Sequence, residues 1–306
     1  MVFCPAVFNA VTFTITEKEQ GAMIGKRISA LVLIAGIVII AFLVQSHTRK
    51  KGGILKISGG ELITLDEMMH DLRNVSLVFV GEFHDNKNHH DAQLRIIREL
   101  NERDVPVSVG LEMFRANSQE KLDRWVEGEM SVDEFREVFN NNWGSYWHLY
   151  RDIFYYARDE RIPLVGLNVP REIPQRVARS GFASLNKEQV AQLPGVSCDV
   201  DETYEKFIRR ALGAHGSHAG SFTHFCEAQM VWDTTMAWRL LNYLGENPDR
   251  TIVVLAGSGH SWKRGIPEQV RRKSDVSFRV VLPEIPERMD KFSVTFEDAD
   301  YLWVNI

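Results

Sequence analysis

Two ionisable residues, Glu82 and His84, follow directly on the apolar run Leu77–Val80 and Gly81. Three more apolar runs end the same way. Val107–Leu111 leads into Glu112, Pro163–Leu167 into Asn168, and Thr251–Ala256 into Gly257-Ser258-Gly259-His260. Two histidines and two or three carboxylates support three kinds of chemistry. They can bind a divalent metal, since imidazole and carboxylate suit Zn, Mn, Co or Fe, with His84, Glu112 and His260 as candidate ligands. They can act as general acid and base around a water, with Glu82, His84, Glu112 and His260 as candidate catalytic groups. A histidine among them can also take an axial position on a porphyrin iron. Singly, each residue has a plainer reading, as a helix cap or a solvated side chain. Four such strand ends in one chain argue for a site.

These groups meet only if the runs are neighbouring parallel strands, whose C-terminal ends share one edge of a sheet. The pattern supports this. Each run is short and apolar, as in a strand buried on both faces, and helical segments separate them. Helices are expected from Thr64, at about 89–103, at 118–127 and at 131–139, with Ser131 as cap and Glu134 at the capping-box position. A very aromatic helix spans 146–160, and a long one about 222–245. On the long helix Phe225, Trp232, Met236 and Leu240 share a core-facing stripe with Gln229 and Asp233. These two polar residues thus point inward, and a buried carboxylate there needs a partner such as His260 or His84. Ile54–Ile57 is expected as an edge strand, and 292–296 with 301–304 as a closing hairpin. Residues 170–221 form a helical insertion capping the same domain. His89 and His90 are expected at the surface of a helix start. His215 and His218, in a glycine-rich loop, could gate or ligate. The tyrosines Tyr146, Tyr150, Tyr155 and Tyr156 are expected in core packing, or lining a site for a flat hydrophobic ligand. The fold class expected is α/β, a mainly parallel sheet with helices on both faces.

The chain has 306 residues, a formal net charge of −5 and no clustered basic face, which gives no reason to expect nucleic acid as a partner. Its three cysteines form no CxxC pair, which excludes a cysteine zinc site and CxxCH haem attachment. Cys198 and Cys226 are read as free or buried thiols, with a disulfide between them in an oxidising compartment as the alternative. Residues 28–44 are seventeen residues without a charge, preceded by Lys26 and Arg27. That length is at the short end for a spanning helix, about 17–25 residues, and long for a signal-peptide core. The expectation is a tail at 1–27, an uncleaved transmembrane signal anchor at 28–44, a linker at 45–60 and one exported domain at 61–306. There is no GxSxG elbow, no P-loop, no GxGxxG after a strand and no HExxH.

The motifs GEFHD, GLEMF, WHLYRDIFYYAR, EAQMVWDTTMA and AGSGH occur in this order over about residues 65–285. Together they resemble the ChaN-like haem-binding uptake proteins of the wider Tiki/TraB and erythromycin-esterase superfamily. The resemblance implies an α/β fold, a bacterial envelope location, haem binding and a role in iron uptake. It also implies haem held through a tyrosine, with a histidine nearby, between cofacial subunits of a homodimer. The cofactor-binding candidates are then His84, Tyr146, Tyr150, Gln229, Asp233 and His260. The wider superfamily includes metal-dependent proteases and esterases whose site residues look like His84, Glu112 and His260, with Glu82 beside them. A metal-dependent hydrolase using Mn, Co or Zn is therefore the alternative to haem binding. No lipobox cysteine follows the apolar segment, and Cys4 precedes it, which favours a transmembrane anchor over a lipid one.

Overall fold

The computed structural model describes residues 53–305 apart from 194, 197–199, 213–220 and 287. Among these, eight strands form one sheet in the order β2-β1-β8-β7-β3-β6-β4-β5. They are β1 (Gly53–Lys56), β2 (Glu61–Ile63), β3 (Leu77–Glu82), β4 (Val107–Arg115), β5 (Leu164–Asn168), β6 (Thr251–Gly257), β7 (Phe278–Pro283) and β8 (Tyr301–Val304). From β8 to β5 every pairing is parallel, and β1 adds antiparallel contacts to β8 and β2. The mainly parallel sheet expected from the apolar runs is present.

The alternation of strand side chains divides the core in two. Val78 and Val80 of β3, with Val253 and Leu255 of β6, feed one hydrophobic cluster. Leu77 and Phe79, with Ile252, Val254 and Ala256, feed the other. Helices α1 (Leu65–Leu72), α2 (Lys87–Asn101), α3 (Gln119–Val126), α4 (Val132–Trp143) and α5 (Trp147–Asp159) cover the first face. The long α9 (Phe222–Glu246) and α11 (Ile266–Arg271) cover the second. Thr64 and Ser131 both cap their helices through full capping boxes with Glu67 and Glu134.

Between β5 and β6 lie α6 (Glu172–Ser180), α7 (Lys187–Ala191) and α8 (Glu202–Leu212). The first two pack on α9 around Ile173, Val177, Leu193, Ala228 and Val231 as a small cap. By contrast α8 places Tyr204, Phe207 and Ile208 in the main core, because that stripe is apolar at i, i+3 and i+4.

Three expectations are corrected. The sheet edge is β2, with β1 inside it, so Gly53–Lys56, within the stretch read as a linker, is a strand of the sheet. Residues 292–296 are not a strand. Asp290 accepts the amides of Phe292 (2.9 Å) and Ser293 (3.0 Å), a local turn, and β8 pairs instead with β7 and β1. The strand through Glu112 does not end there but runs on to Arg115 past a register shift against β5. Among the described residues no helix is long and apolar enough to cross a membrane, and the proposed anchor at 28–44 lies outside them. His215, His218 and Cys198 also lie outside. Cys226 is a buried free thiol.

Candidate functional site

The four polar strand ends converge at the C-terminal edge of β3, β4, β5 and β6. Glu82, the last residue of β3, is buried and its carboxylate is fully occupied. One oxygen accepts from His84 Nδ1 at 2.8 Å and from the Tyr150 hydroxyl. The other accepts from Gln93 Nε2 at 2.9 Å and lies 3.1 Å from His90 Nδ1. Four donors match the four lone-pair positions of an ionised carboxylate. Burial alone would raise the Glu82 carboxyl, but the hydrogen bonds from His84 and His90 outweigh it and hold the group well below the ordinary carboxylate range.

An ionised acceptor fixes the tautomer of His84: Nδ1 carries the proton and donates. Burial works against protonation of His84, yet the bond to Glu82 and the nearby Glu112 charge raise its pKa above the usual imidazole value. The ring packs edge-on against Trp143, with centroids 4.9 Å apart, and its side chain stays 41% exposed.

On the other side Glu112 accepts the Gly257 amide at 2.6 Å, and Asn168 donates to the Glu112 carbonyl at 2.8 Å. His260 sits on the short helix α10 (Ser258–Ser261), which follows β6 directly. Its Nδ1 is 2.6 Å from Asp233 Oδ1, and its Nε2 is 3.7 Å from Glu112 Oε1. The Tyr204 hydroxyl donates to the other oxygen of Asp233 at 2.7 Å. Burial opposes the charged ring, but Glu112 and Asp233 prevail and push the His260 pKa up to about 9. Two histidine–carboxylate pairs thus flank Glu112. Glycine at 257 leaves room for the His84 ring, since a Cβ there would stand 2.9 Å from His84 Cε1 and one of the two would have to shift.

The site opens through a cleft of about 400 Å³ lined by His84, Met113, Arg115, Asn140, Asn141, Asn142, Trp143, Gly144, Tyr146, Asn168, Val169, Arg171 and Trp232. His260 and Glu112 lie behind this surface, with the Trp232 ring edge-on to His260 at 5.9 Å. A larger cavity of about 700 Å³ lies toward the opposite ends of the strands. There Arg279 and Tyr301 are already paired with Asp71, at 2.6–2.9 Å.

Glu82, His84, Glu112, Asp233 and His260 are therefore together. Gln229 is half-buried and hydrogen-bonds to no member of the cluster. Tyr150 does not line the cleft. It is fully buried against Phe139 and the His90 ring, and burial beside Glu82 raises its pKa, so it serves as a donor within the core. His84, Glu112 and His260 do not form a metal-binding group. Among the described residues no three His, Cys, Asp or Glu side chains are arranged to hold a metal ion. The donor atoms are instead turned onto protein partners, His84 onto Glu82, His260 onto Asp233 and Glu112 onto the Gly257 amide.

His89 and His90 are buried, contrary to the surface position expected. His89 accepts the Phe83 amide at 2.9 Å, and burial lowers its pKa to about 4, so it stays neutral and pins the turn after β3. His90 holds Glu82 and the His84 carbonyl, the latter at 3.2 Å. The signal for His90 and Gln93 was their place on the apolar stripe of α2 with Ile96, Ile97 and Leu100, the reasoning that found Asp233 on α9. Tyr204 shares its stripe with Phe207 and Ile208 in the same way.

A sequence profile of the family described as haem-binding uptake, Tiki superfamily, ChaN matches residues 68–270. The chain belongs to this family. The matched span contains every candidate site residue. A structure of ChaN of Campylobacter jejuni, described as binding haem cofacially, is 21% identical, with 83% of this chain and 96% of that chain covered and a TM-score of 0.66. That likeness establishes the ChaN fold. A variant of the erythromycin esterase EreC in its open conformation superposes at a TM-score of 0.47 with 16% identity, over 71% of this chain and 72% of that chain. No curated protein matches the sequence.

Proposed function

We propose that the chain binds haem in the cleft beside His84, with Tyr146 as the ligand to the iron. Membership of the ChaN family supports haem as the ligand. The observation that carries the choice of residue is the fate of the tyrosine hydroxyls. Those of Tyr150, Tyr156, Tyr204, Tyr243 and Tyr301 bond to Glu82, Asn101, Asp233, Ser108 and Asp71. Tyr155 packs against Trp125 and Trp147. Tyr146 lines the cleft and is 40% exposed.

The residues present fit the group. Trp143, Trp232, Met113 and Val169 offer apolar wall for a flat ring. Phenol and imidazole are both known protein ligands of haem iron. Bound haem would supply an iron centre for transport or storage. The chain's own part is to ligate through Tyr146, to hold His84 in one tautomer through Glu82, and to cover the ring with its two tryptophans.

The cofacial haem described for the Campylobacter jejuni relative supports a second copy closing over the exposed side of the ring. The apolar segment at 28–44 supports a membrane-anchored chain with the domain outside the cytoplasm and a role in haem or iron uptake. Haemin titrated into the full chain is expected to give a saturable Soret shift at a fixed stoichiometry. Binding no tighter than to an unrelated acidic protein would remove the proposal.

One observation favours a second reading, hydrolysis of an ester or peptide. Asp233 and Glu112 hold a protonatable His260 beside a second histidine, an acid–base arrangement that needs no metal. Turnover of an ester or peptide panel that is lost in His260→Ala, in protein free of haem, would establish it. An inactive panel would remove it.

A further inference from the structure

Two guanidinium groups line the haem cleft without a carboxylate partner. Arg115, at the end of β4, uses Nε to bond Asn142 Oδ1 at 3.0 Å and Nη2 to bond the Asn141 carbonyl at 2.8 Å. Both partners are neutral, and they orient the group. Arg171 follows β5, is exposed, and its side chain makes no ion pair or hydrogen bond among the described residues. The two come from neighbouring strand ends, since Arg115 is the register partner of Asn168 and Arg171 lies three residues farther on. Several other arginines are matched to carboxylates, as in Arg279–Asp71, Arg210–Asp298 and Arg271–Glu268, whereas these two cleft arginines are not. In the cleft the nearby carboxylates are already engaged. Glu82 is saturated, Glu112 holds the Gly257 amide, and Asp233 holds His260 and Tyr204.

A cleft with tryptophan, methionine and valine walls and two cations without a counter-charge suits a flat apolar ring that carries anionic groups. Planar guanidinium forks suit carboxylates in particular, through paired charge-assisted hydrogen bonds. We propose that Arg115 and Arg171 form the carboxylate-binding end of the cleft and grip the propionates of the porphyrin. The ligand class is then a free-acid porphyrin, and a neutral macrocycle is discriminated against. The inference rests on the haem reading, but it concerns the porphyrin periphery and not the iron ligand.

The test compares haemin, haemin dimethyl ester and iron-free protoporphyrin IX, titrated into the full chain and into Arg171→Ala. Arg171 is the variant of choice because its side chain has no structural partner to lose. Arg115→Gln serves as the second variant, with circular dichroism as the check that α4 is intact. The expected result is a roughly tenfold weaker binding of the ester by the unmodified chain. Arg171→Ala should weaken haemin and protoporphyrin IX by a similar factor, leave the ester within about twofold, and leave the haemin Soret position unchanged. Equal affinity of the unmodified chain for haemin and its ester, or equal loss of both in Arg171→Ala, would overturn this inference while the haem reading stood. Absence of saturable haemin binding by the unmodified chain would overturn both.

Discussion

Glu82 illustrates how a buried charge is made tolerable, with four donors around one carboxylate and no exposed oxygen left for a ligand. Removing one donor leaves an unmet acceptor, which costs about 1–3 kcal/mol. Tyr150→Phe is accordingly expected to lower stability by about that much in denaturant unfolding while haemin affinity changes little. A large loss of haemin binding with unchanged stability would instead make Tyr150 a ligand. His260 gives a pH dependence of defined sign. Its pKa rises from an ordinary 6.5 to about 9 in the fold, so the folded chain binds the extra proton across that interval. The stabilisation is complete below pH 6.5 and is lost as pH climbs through about 9, amounting to about 3 kcal/mol. Asp233→Asn should flatten that decline, and an unchanged slope would remove His260 as its source.

Glycines decide what the strand ends can present. A Cβ on Gly257 would press on the His84 ring at 2.9 Å, whereas one on Gly81 would strike Leu282 at 2.8 Å and Ser258 Oγ at 3.0 Å. Gly257→Ala is therefore expected to weaken haemin binding several-fold by displacing His84. Gly81→Ala should act mainly on stability, by about 1–3 kcal/mol. The reverse pattern in titration and thermal melts would contradict these assignments. The same elements show what the sequence could reveal. Short apolar runs ending in Glu82, Glu112, Asn168 and His260 were legible, because a parallel sheet puts all such ends on one edge. Asp233 was legible because a carboxylate on an apolar helical stripe must point inward. Tyr150 stayed open between core and ligand site because its stripe says only that it is buried, and the partner for its hydroxyl comes from β3, far off in sequence. Arg115 and Arg171 left no periodic signal, since they gain meaning only from a register between β4 and β5 that a shift past Leu111 creates.

At the scale of the whole chain, one sheet presents its site at the C-terminal edge, while the first described strand enters at the far side, near the β2 edge. The stretch 28–44 is expected to hold the protein in the membrane fraction, and its deletion should move the chain to the supernatant. Recovery of the full chain in the supernatant would contradict the anchor. The central claim is that haem sits in the cleft on Tyr146, and the visible spectrum of haemin-loaded protein tests it most directly, unmodified and as Tyr146→Phe. The unmodified chain is predicted to show a saturable, tyrosinate-like high-spin ferric spectrum, and Tyr146→Phe to lose that signature while keeping its fold. An identical spectrum and affinity in Tyr146→Phe would contradict the claim.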